Sequence, residues 1–370
     1  MQHNKLFIPG PTHVTQQNLN AQTQSMIGHR SDEYAELHRC IVDNLKILLD
    51  TQNDIFIATN SATGCMEAAI RNTVENNVLC LVNGAFSERW AKIAESNGKN
   101  VTRLEATWGS AITAQQLKEE LTNNTYEAVT VVLSETSTGA RAPIEAISNV
   151  MKEFPHTLLL VDGVSIVGGE QVDIDKWGID VCLFGTQKAL ALPPGVSFMS
   201  VSPSAIAKAN HVTNRGYYFD FKLFSKYAAK NQTPTTPPIT LLYAVQQQLQ
   251  TILLEESKAG RFLRHQVLAK RVRDWGKQYF TIFTEKKFLV DTLTTFQTPE
   301  NFDTESFIQQ AARKGIILSN GYGKLKNKTF RIGHMGDHSI EDIEKMLETI
   351  DPITQNHLTP NPTRHEVTHR

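Results

Sequence analysis

The chain has 370 residues, of which 40% are hydrophobic and 20% are charged, a composition that suits a globular protein with more than one domain. Its formal net charge of -1 gives no general electrostatic attraction to nucleic acid or to an anionic membrane, so we expect small-molecule partners. The four cysteines lack the spacing of a zinc site or a disulfide framework, and no segment is typical of a signal peptide or a membrane span, so we expect a cytoplasmic protein without a metal.

Short apolar runs alternate with helix-like stretches through the first two thirds of the chain. The strand candidates are VLCLV (78–82), AVTVVL (128–133), TLLLVDGV (157–164) and DVCLFG (180–185). They are too apolar for strands with one face in water, so we expect a mostly parallel sheet covered by helices. Ligands bind where the carboxyl ends of such strands open into a crevice, and residues directly after the strands are therefore candidates for chemistry.

The pattern changes after Pro238 to one long helical region, which marks the end of the large domain. A small α+β unit follows, with strands predicted at 288–297, 316–321 and 329–335 and helices at 303–315 and 339–350. From Asp351 the sequence is polar, contains prolines and lacks periodicity, which predicts a flexible tail.

Two titratable residues follow buried strands in the middle of the chain. Lys188 lies in FGTQKALALPPG, where partial removal from water favours the neutral amine that attacks an aldehyde to form an imine. Asp162 ends the strand LLLVD, where a carboxylate needs a cationic partner such as a protonated pyridine nitrogen. That ion pair makes the ring an electron sink. Taken alone, each residue also fits an ordinary role, a surface lysine or a turn aspartate.

A phosphate site and a stacking ring are predicted from the next two segments. Backbone amides and hydroxyls at Ser61, Ala62 and Thr63 begin a helix after a strand, and such a start can hold a phosphate. Phe86 follows another strand, where its ring can lie flat on a planar cofactor. A capped helix and a core phenylalanine are the ordinary alternatives.

Hydroxyls and an arginine complete the candidate set. Thr136, with Ser137 and Thr138, follows a strand and can either bond a ring oxygen or fix a turn. Arg331 lies in the strand TFRIG of the small domain, and its planar fork suits a substrate carboxylate. The alternative for Arg331 is an exposed strand position.

The ordered set PGPTHV, SATGCMEAA, NGAFSERW, ETSTG, VDGV, GTQKAL and FRIGHMGD resembles the class V aminotransferases of pyridoxal 5'-phosphate (PLP) fold type I, especially the alanine/serine-glyoxylate (serine-pyruvate) group. The likeness runs from about Phe7 to about Ile350. It implies an α/β fold, with a mostly parallel seven-stranded sheet in the large domain and a smaller C-terminal α+β domain. The expected divisions are an N-terminal arm joining the small domain (1–16), the large PLP-binding domain (17–250), the small domain (251–350) and the tail (351–370).

The resemblance also implies roles around the cofactor. Lys188 holds PLP as a Schiff base, and Asp162 pairs with the pyridine nitrogen. Phe86 stacks on the ring, while Thr136 and Gln187 contact the ring region.

The remaining implied roles concern the substrate and a second subunit. Arg331 takes the substrate carboxylate, and the turn at 9–11 and the loop at 28–30 border the substrate pocket. The family forms homodimers with shared active sites, and Thr236 matches the place where the neighbouring subunit reaches the cofactor phosphate.

Three positions depart from the family pattern. Asn60 and Ala62 stand where many members have glycine, and Thr233 stands where some have tyrosine. These departures affect the grip on the phosphate, and they leave the lysine, the aspartate and the arginine in place.

The implied reaction moves an amino group between a small amino acid, alanine or serine, and a 2-oxo acid, glyoxylate or pyruvate, in two half-reactions with ping-pong kinetics. A rival is 2-aminoethylphosphonate-pyruvate aminotransferase, which shares the cofactor chemistry. A class V lyase or desulfurase is less favoured. A cysteine desulfurase resembles this fold but uses a cysteine that follows its lysine, whereas all four cysteines here precede Lys188. A PLP-binding protein without activity is also disfavoured. Such a protein would need neither Asp162 as a partner of the cofactor ring nor Arg331 as an anchor for a substrate carboxylate.

Overall fold

The computed structural model describes residues 4–358. The strands are β1 (Lys5–Leu6), β2 (Asp54–Ala58), β3 (Asn77–Val82), β4 (Asn100–Glu105), β5 (Ala128–Val132), β6 (Ser134–Glu135), β7 (Ala140–Arg141), β8 (Leu158–Asp162), β9 (Val181–Gly185), β10 (Ser197–Val201), β11 (Thr281–Ile282), β12 (Leu293–Gln297), β13 (Ile316–Ile317), β14 (Ser319–Asn320) and β15 (Thr329–Gly333). The α-helices are α1 (Gln16–Ala21), α2 (Asp32–Leu49), α3 (Ala62–Thr73), α4 (Ala85–Ser96), α5 (Ala114–Asn123), α6 (Ile144–Met151), α7 (Ile174–Trp177), α8 (Pro203–Ala209), α9 (Phe221–Ala228), α10 (Ile239–Gln250), α11 (Lys258–Gly276), α12 (Thr304–Arg313) and α13 (Ile340–Leu358).

A seven-stranded sheet forms the large domain, in the order β2-β10-β9-β8-β5-β3-β4. All neighbours are parallel except β10, which runs antiparallel to both β2 and β9. The mostly parallel seven-stranded sheet is therefore confirmed. Every residue of β5, β8, β9 and β10 is buried, as expected for strands covered on both faces.

Two apolar clusters cover the two faces of this sheet. Successive side chains of a strand point to opposite faces, so Leu79 and Leu81 belong to one cluster while Val78 and Cys80 belong to the other. The first cluster is completed by α2, α5, α6 and α10, and the second by α3, α4, α8 and α9. The carboxyl ends of the parallel strands therefore lie between these two apolar clusters.

The small domain contains a four-stranded antiparallel sheet in the order β11-β12-β15-β14. Its core includes Phe296, Phe307 and Phe330, together with Phe7 from the N-terminal segment. β1 pairs in parallel with β13, which brings the N-terminal segment onto the small domain. The division of the chain at residues 16 and 250 remains a proposal.

The last helix corrects the prediction of a tail beginning at Asp351. α13 continues to Leu358 with Pro352 inside it, and Ile353 and Thr354 are buried. The apolar stripe of α13 extends one more turn, and Trp275 Nε1 donates to the Asp351 carboxylate at 2.7 Å, so tertiary contacts outweigh the polar composition. Residues 359–370 of the predicted tail lie outside the described residues.

Composition predicts neither a membrane span nor a metal site, and it predicts cysteines outside a disulfide framework. From residue 4 to residue 358, no helix combines the length and the apolar character needed to cross a bilayer. The same residues hold no group of three or more His, Cys, Asp or Glu side chains arranged for a metal ion. The four cysteines are free thiols, and three of them are buried.

Candidate active site

A cleft of about 210 Å³ opens at the carboxyl ends of the parallel strands. Its walls come from the starts of α3 and α4 and from the segments that follow β6, β8 and β9. Eight of the ten predicted site residues line it, namely Ser61, Ala62, Thr63, Phe86, Thr136, Asp162, Gln187 and Lys188. Met66, Arg89, Val164 and Ser165 complete the lining.

Lys188 lies in the turn that joins β9 to the antiparallel β10. Its Nζ donates a hydrogen bond to Pro9 O, and Thr12 Oγ1 donates to Lys188 O at 2.8 Å. Gly10 has a φ of +122°, which favours glycine, and a Cβ at this position would lie 2.6 Å from Nζ. Burial, aided by the positive charge of Arg331, lowers the pKa of Lys188 to about 8. A large share of the amine is therefore neutral and nucleophilic in mildly alkaline solution.

Asp162 ends β8 with its carboxylate buried at the cleft. It accepts a hydrogen bond from Val164 N at 2.8 Å, and no basic side chain among residues 4–358 forms an ion pair with it. Burial, with a smaller effect from Glu135, raises the pKa of Asp162 to about 7. A buried carboxylate in this state is stabilised by a cation placed against it.

The start of α3 forms the end of the cleft predicted to hold phosphate. Ser61 is the N-cap residue, and its side chain makes no capping hydrogen bond. Asn60 Oδ1 accepts from Cys65 Sγ at 3.5 Å, while its buried Nδ2 has no partner within the described chain. The hydroxyl of Ser61 and the first amides of the helix therefore remain available to an anion.

Phe86 is a half-buried ring at the start of α4, at the cleft wall and not in the core. It stacks on Tyr322 with 5.5 Å between ring centroids and an interplanar angle of 25°. The guanidinium of Arg89 lies 4.7 Å from the centroid of the same ring. Phe86 therefore lines the cleft while it packs against the second apolar cluster, and its stacking on a cofactor ring stays a prediction.

The hydroxyls after β6 have different surroundings. Thr136 lines the cleft, and its Oγ1 lies 2.6 Å from Ser165 Oγ. Ser137 and Thr138 are fully buried, and the Ser137 hydroxyl donates to the carboxylate of Glu135 at 2.6 Å. Thr136 therefore stays a predicted contact of a bound ring, whereas Ser137 and Thr138 are buried within the turn, which was their alternative role.

Arg331 is 8% exposed on β15, so the alternative of an exposed strand arginine is wrong. Its Nη1 donates to Thr136 O at 3.1 Å and its Nε donates to Asn320 O at 3.1 Å. Within residues 4–358 no carboxylate pairs with the guanidinium, and Nη2 has no hydrogen-bond partner. Burial lowers the pKa of Arg331 to about 10, which leaves it charged at neutral pH. It adjoins the cleft through Thr136.

Thr236 lies apart from the cleft, exposed on the segment between α9 and α10. Arg30 holds that segment through hydrogen bonds to Thr233 O at 2.7 Å and Pro234 O at 3.1 Å. The role of Thr236 in a neighbouring subunit stays a prediction.

Two residues were not predicted from the sequence: Arg89, which lines the cleft, and Glu135, which supports the start of α4 behind it. Glu135 is fully buried and accepts hydrogen bonds from Phe86 N and Ser87 N at 3.1 and 2.9 Å, and from the side chains of Ser87 and Ser137. Glu135 follows the apolar run in AVTVVLSE, and a carboxylate at the end of an apolar strand is the same pattern that identified Asp162. Arg89 lies one helical turn after Phe86, a spacing that brings two side chains to the same face of α4.

The sequence profile of the family described as Aminotransferase class-V matches residues 13–345. The chain belongs to the class V aminotransferases. It is thus an aminotransferase, and the cofactor of this family is PLP.

Three proteins illustrate how this class V aminotransferase compares with its relatives. An uncharacterized aminotransferase of Methanocaldococcus jannaschii is 39% identical over 90% of this chain and 87% of its own length. Serine-glyoxylate aminotransferase of Methylorubrum extorquens is 33% identical, with 90% and 87% covered. The crystal structure of alanine-glyoxylate aminotransferase from Nostoc sp. superimposes with a TM-score of 0.88 at 31% identity, covering 95% and 96% of the two chains. The fold is PLP fold type I.

The side chains of the cleft fit PLP on chemical grounds. Asp162 offers an unpaired buried carboxylate for a pyridinium nitrogen, and Lys188 offers an amine with a lowered pKa for an aldehyde carbon. The uncapped start of α3 offers amides and hydroxyls for a phosphate, and Phe86 offers a ring surface.

Proposed function

We propose that this aminotransferase transfers an amino group between alanine or serine and glyoxylate or pyruvate. The observation that carries the proposal is the placement of three groups around one cleft: the Lys188 amine, the Asp162 carboxylate and, through Thr136, the Arg331 guanidinium. A base, a partner for a cationic ring and an anchor for a carboxylate are what transfer of an α-amino group requires.

Each residue of the cleft has its own role in the proposed reaction. PLP, when bound, supplies the electron sink that stabilises negative charge at the substrate Cα. Nζ of Lys188 would carry the cofactor between turnovers. Once released, it would take the proton from the substrate Cα and deliver it to the C4' carbon of the cofactor, and it would run the reverse transfer in the second half-reaction, because its lowered pKa suits both directions. Asp162 keeps the pyridine nitrogen protonated, and Thr136 and Gln187 orient the ring.

Arg331 fixes the direction of the substrate. Its free Nη2 and its charge suit an α-carboxylate, and its bonds to Thr136 O and Asn320 O hold the fork in position. Orientation by a fixed fork places Cα next to the base in every productive encounter.

The proposed preference for alanine or serine is supported by the names of relatives, which include a serine-glyoxylate and an alanine-glyoxylate aminotransferase. The exposed ring of Tyr322 lies beside the carboxylate anchor: it stacks on Phe86, and the Arg331 guanidinium lies 5.7 Å from its centroid.

We further propose a homodimer in which Thr236 of each subunit reaches the phosphate of the other. The exposure of this residue and the support of its segment by Arg30 agree with a contact made outside the subunit.

A screen of single half-reactions tests the donor. The PLP-loaded protein is mixed with alanine, serine, aspartate or 2-aminoethylphosphonate, and conversion of the aldehyde form of the cofactor to its amine form is followed by absorbance. Alanine or serine should convert it fastest, and glyoxylate or pyruvate should reverse the change. Faster conversion by 2-aminoethylphosphonate would instead identify the phosphonate enzyme. Lys188→Ala is the inactive control.

A further inference from the structure

Arg89 is a charged side chain of the cleft to which the proposed reaction gives no role. It projects from α4, with its guanidinium 4.7 Å from the Phe86 centroid. Its Nη1 donates to Thr63 Oγ1 at 3.2 Å. In the part of the chain that the structure describes, no carboxylate forms an ion pair with it.

The position of its hydrogen-bond partner places Arg89 beside the start of α3. Thr63 is the second residue of that helix, and both Thr63 and the uncapped Ser61 line the cleft. A helix start carries about half a positive charge and presents unpaired amides, so it attracts an anion. The Arg89 guanidinium adds a full charge at the same end of the cleft.

The phosphate of PLP needs a positively charged side chain as its partner in the cleft. The phosphate of PLP carries about two negative charges at neutral pH, since its second pKa is about 6. Lys188 and Arg89 are the basic side chains that line the cleft within residues 4–358. The Lys188 amine bonds Pro9 O and is assigned to the aldehyde carbon, and Arg331 is held at Thr136. Arg89 is therefore the remaining full positive charge.

We propose that Arg89 binds the phosphate of PLP, with its guanidinium donating to phosphate oxygens alongside the amides of Ala62 and Thr63. This inference rests on the proposed placement of PLP in the cleft. It assigns a phosphate contact to the same subunit that carries Lys188, in addition to any contact from Thr236 of a neighbouring subunit.

Comparison of PLP with pyridoxal, which lacks the phosphate, isolates this contact. Dissociation constants of both ligands are measured on the full-length apoprotein by absorbance and fluorescence, for wild type, Arg89→Met and Arg89→Lys. A charge-assisted hydrogen bond corresponds to about 10- to 100-fold in affinity, so Arg89→Met should weaken PLP by that factor and pyridoxal by less than about twofold. Arg89→Lys should lie between, because it keeps the charge and loses the fork.

Lys92→Gln is the matched control, because it removes one exposed positive charge from the same helix and should leave both ligands unaffected. An equal loss for PLP and pyridoxal would show that Arg89 supports the ring through Phe86, and unchanged binding would show no role; either result overturns the inference. If wild type bound neither ligand, the proposed function itself would fail. Should Arg89→Met not fold by circular dichroism, the ratio of the two constants in Arg89→Lys decides.

Discussion

Replacing Asp162 with asparagine should stabilise the apoprotein while it weakens binding of PLP. Asparagine keeps an oxygen that can accept from Val164 N and removes the carboxyl that is held buried without a basic partner among the described residues. Function and stability oppose each other at this position, because the charge that destabilises the empty site is the one that pairs with the pyridine nitrogen.

The magnitude follows from the pKa of Asp162. Burial raises this pKa from 3.8 to about 7, so the folded protein holds the proton more tightly than the unfolded chain does. The resulting loss of stability is absent below pH 3.8, grows as the pH rises, and is complete above pH 7. At about 1.4 kcal/mol for each tenfold change in proton affinity, it amounts to about 2 kcal/mol at pH 5 and about 4 kcal/mol at pH 8.

Urea unfolding of the two apoproteins at both pH values measures this difference. The free energy of unfolding of Asp162→Asn should exceed that of wild type, and the gap should widen by about 2 to 3 kcal/mol from pH 5 to pH 8. Asp43→Asn removes an exposed carboxylate and should change stability by less than about 0.5 kcal/mol at either pH. A gap that does not depend on pH, or a variant less stable than wild type at pH 8, would refute the reasoning.

Three further predictions concern the anchor, the lysine turn and the amine. Arg331→Lys loses the planar fork of the guanidinium, so kcat/KM for the amino acid should fall about 10- to 100-fold in steady-state kinetics. Its affinity for PLP, measured by titration, should stay within about threefold of wild type. An unchanged KM would contradict the role of Arg331 as the carboxylate anchor. Gly10→Ala should slow capture of PLP, because its Cβ would meet Lys188 at 2.6 Å, whereas Gly98→Ala, also at positive φ but in open space, should not; equal rates would contradict the clash. The rate at which the apoprotein captures PLP should rise with pH with a midpoint near 8 and level off about one pH unit higher, since the neutral fraction of Lys188 grows through its lowered pKa; a midpoint near 10 would contradict the lowered pKa.

Much of the fold could be predicted because its strands are unusually apolar. The runs at 78–82, 128–133, 157–164 and 180–185 coincide with β3, β5, β8 and β9. The same rule that places ligands at strand ends brought eight of ten predicted residues into one cleft. What local composition could not predict is the antiparallel direction of β10 and the extension of α13 beyond Asp351, because both depend on packing between distant segments.

The missed residues have a similar explanation. Glu135 matters because β6 meets the start of α4, a contact between residues about fifty positions apart. The hydroxyls of Ser137 and Thr138 face the protein interior and not the cleft. The sequence ETSTG does not show in which direction each side chain of the turn points. The place of Arg89 in the cleft could not be predicted, because it depends on a hydrogen bond to Thr63, which lies on a different helix.

The central claim is that one amine, that of Lys188, carries the cofactor. Reduction of the PLP-loaded protein with borohydride, followed by peptide mass spectrometry, locates the attachment directly. We expect the reduced cofactor on the peptide that contains Lys188, and we expect this adduct to be absent from Lys188→Ala. Attachment at a different lysine, or a loaded protein with no covalent adduct, would contradict it.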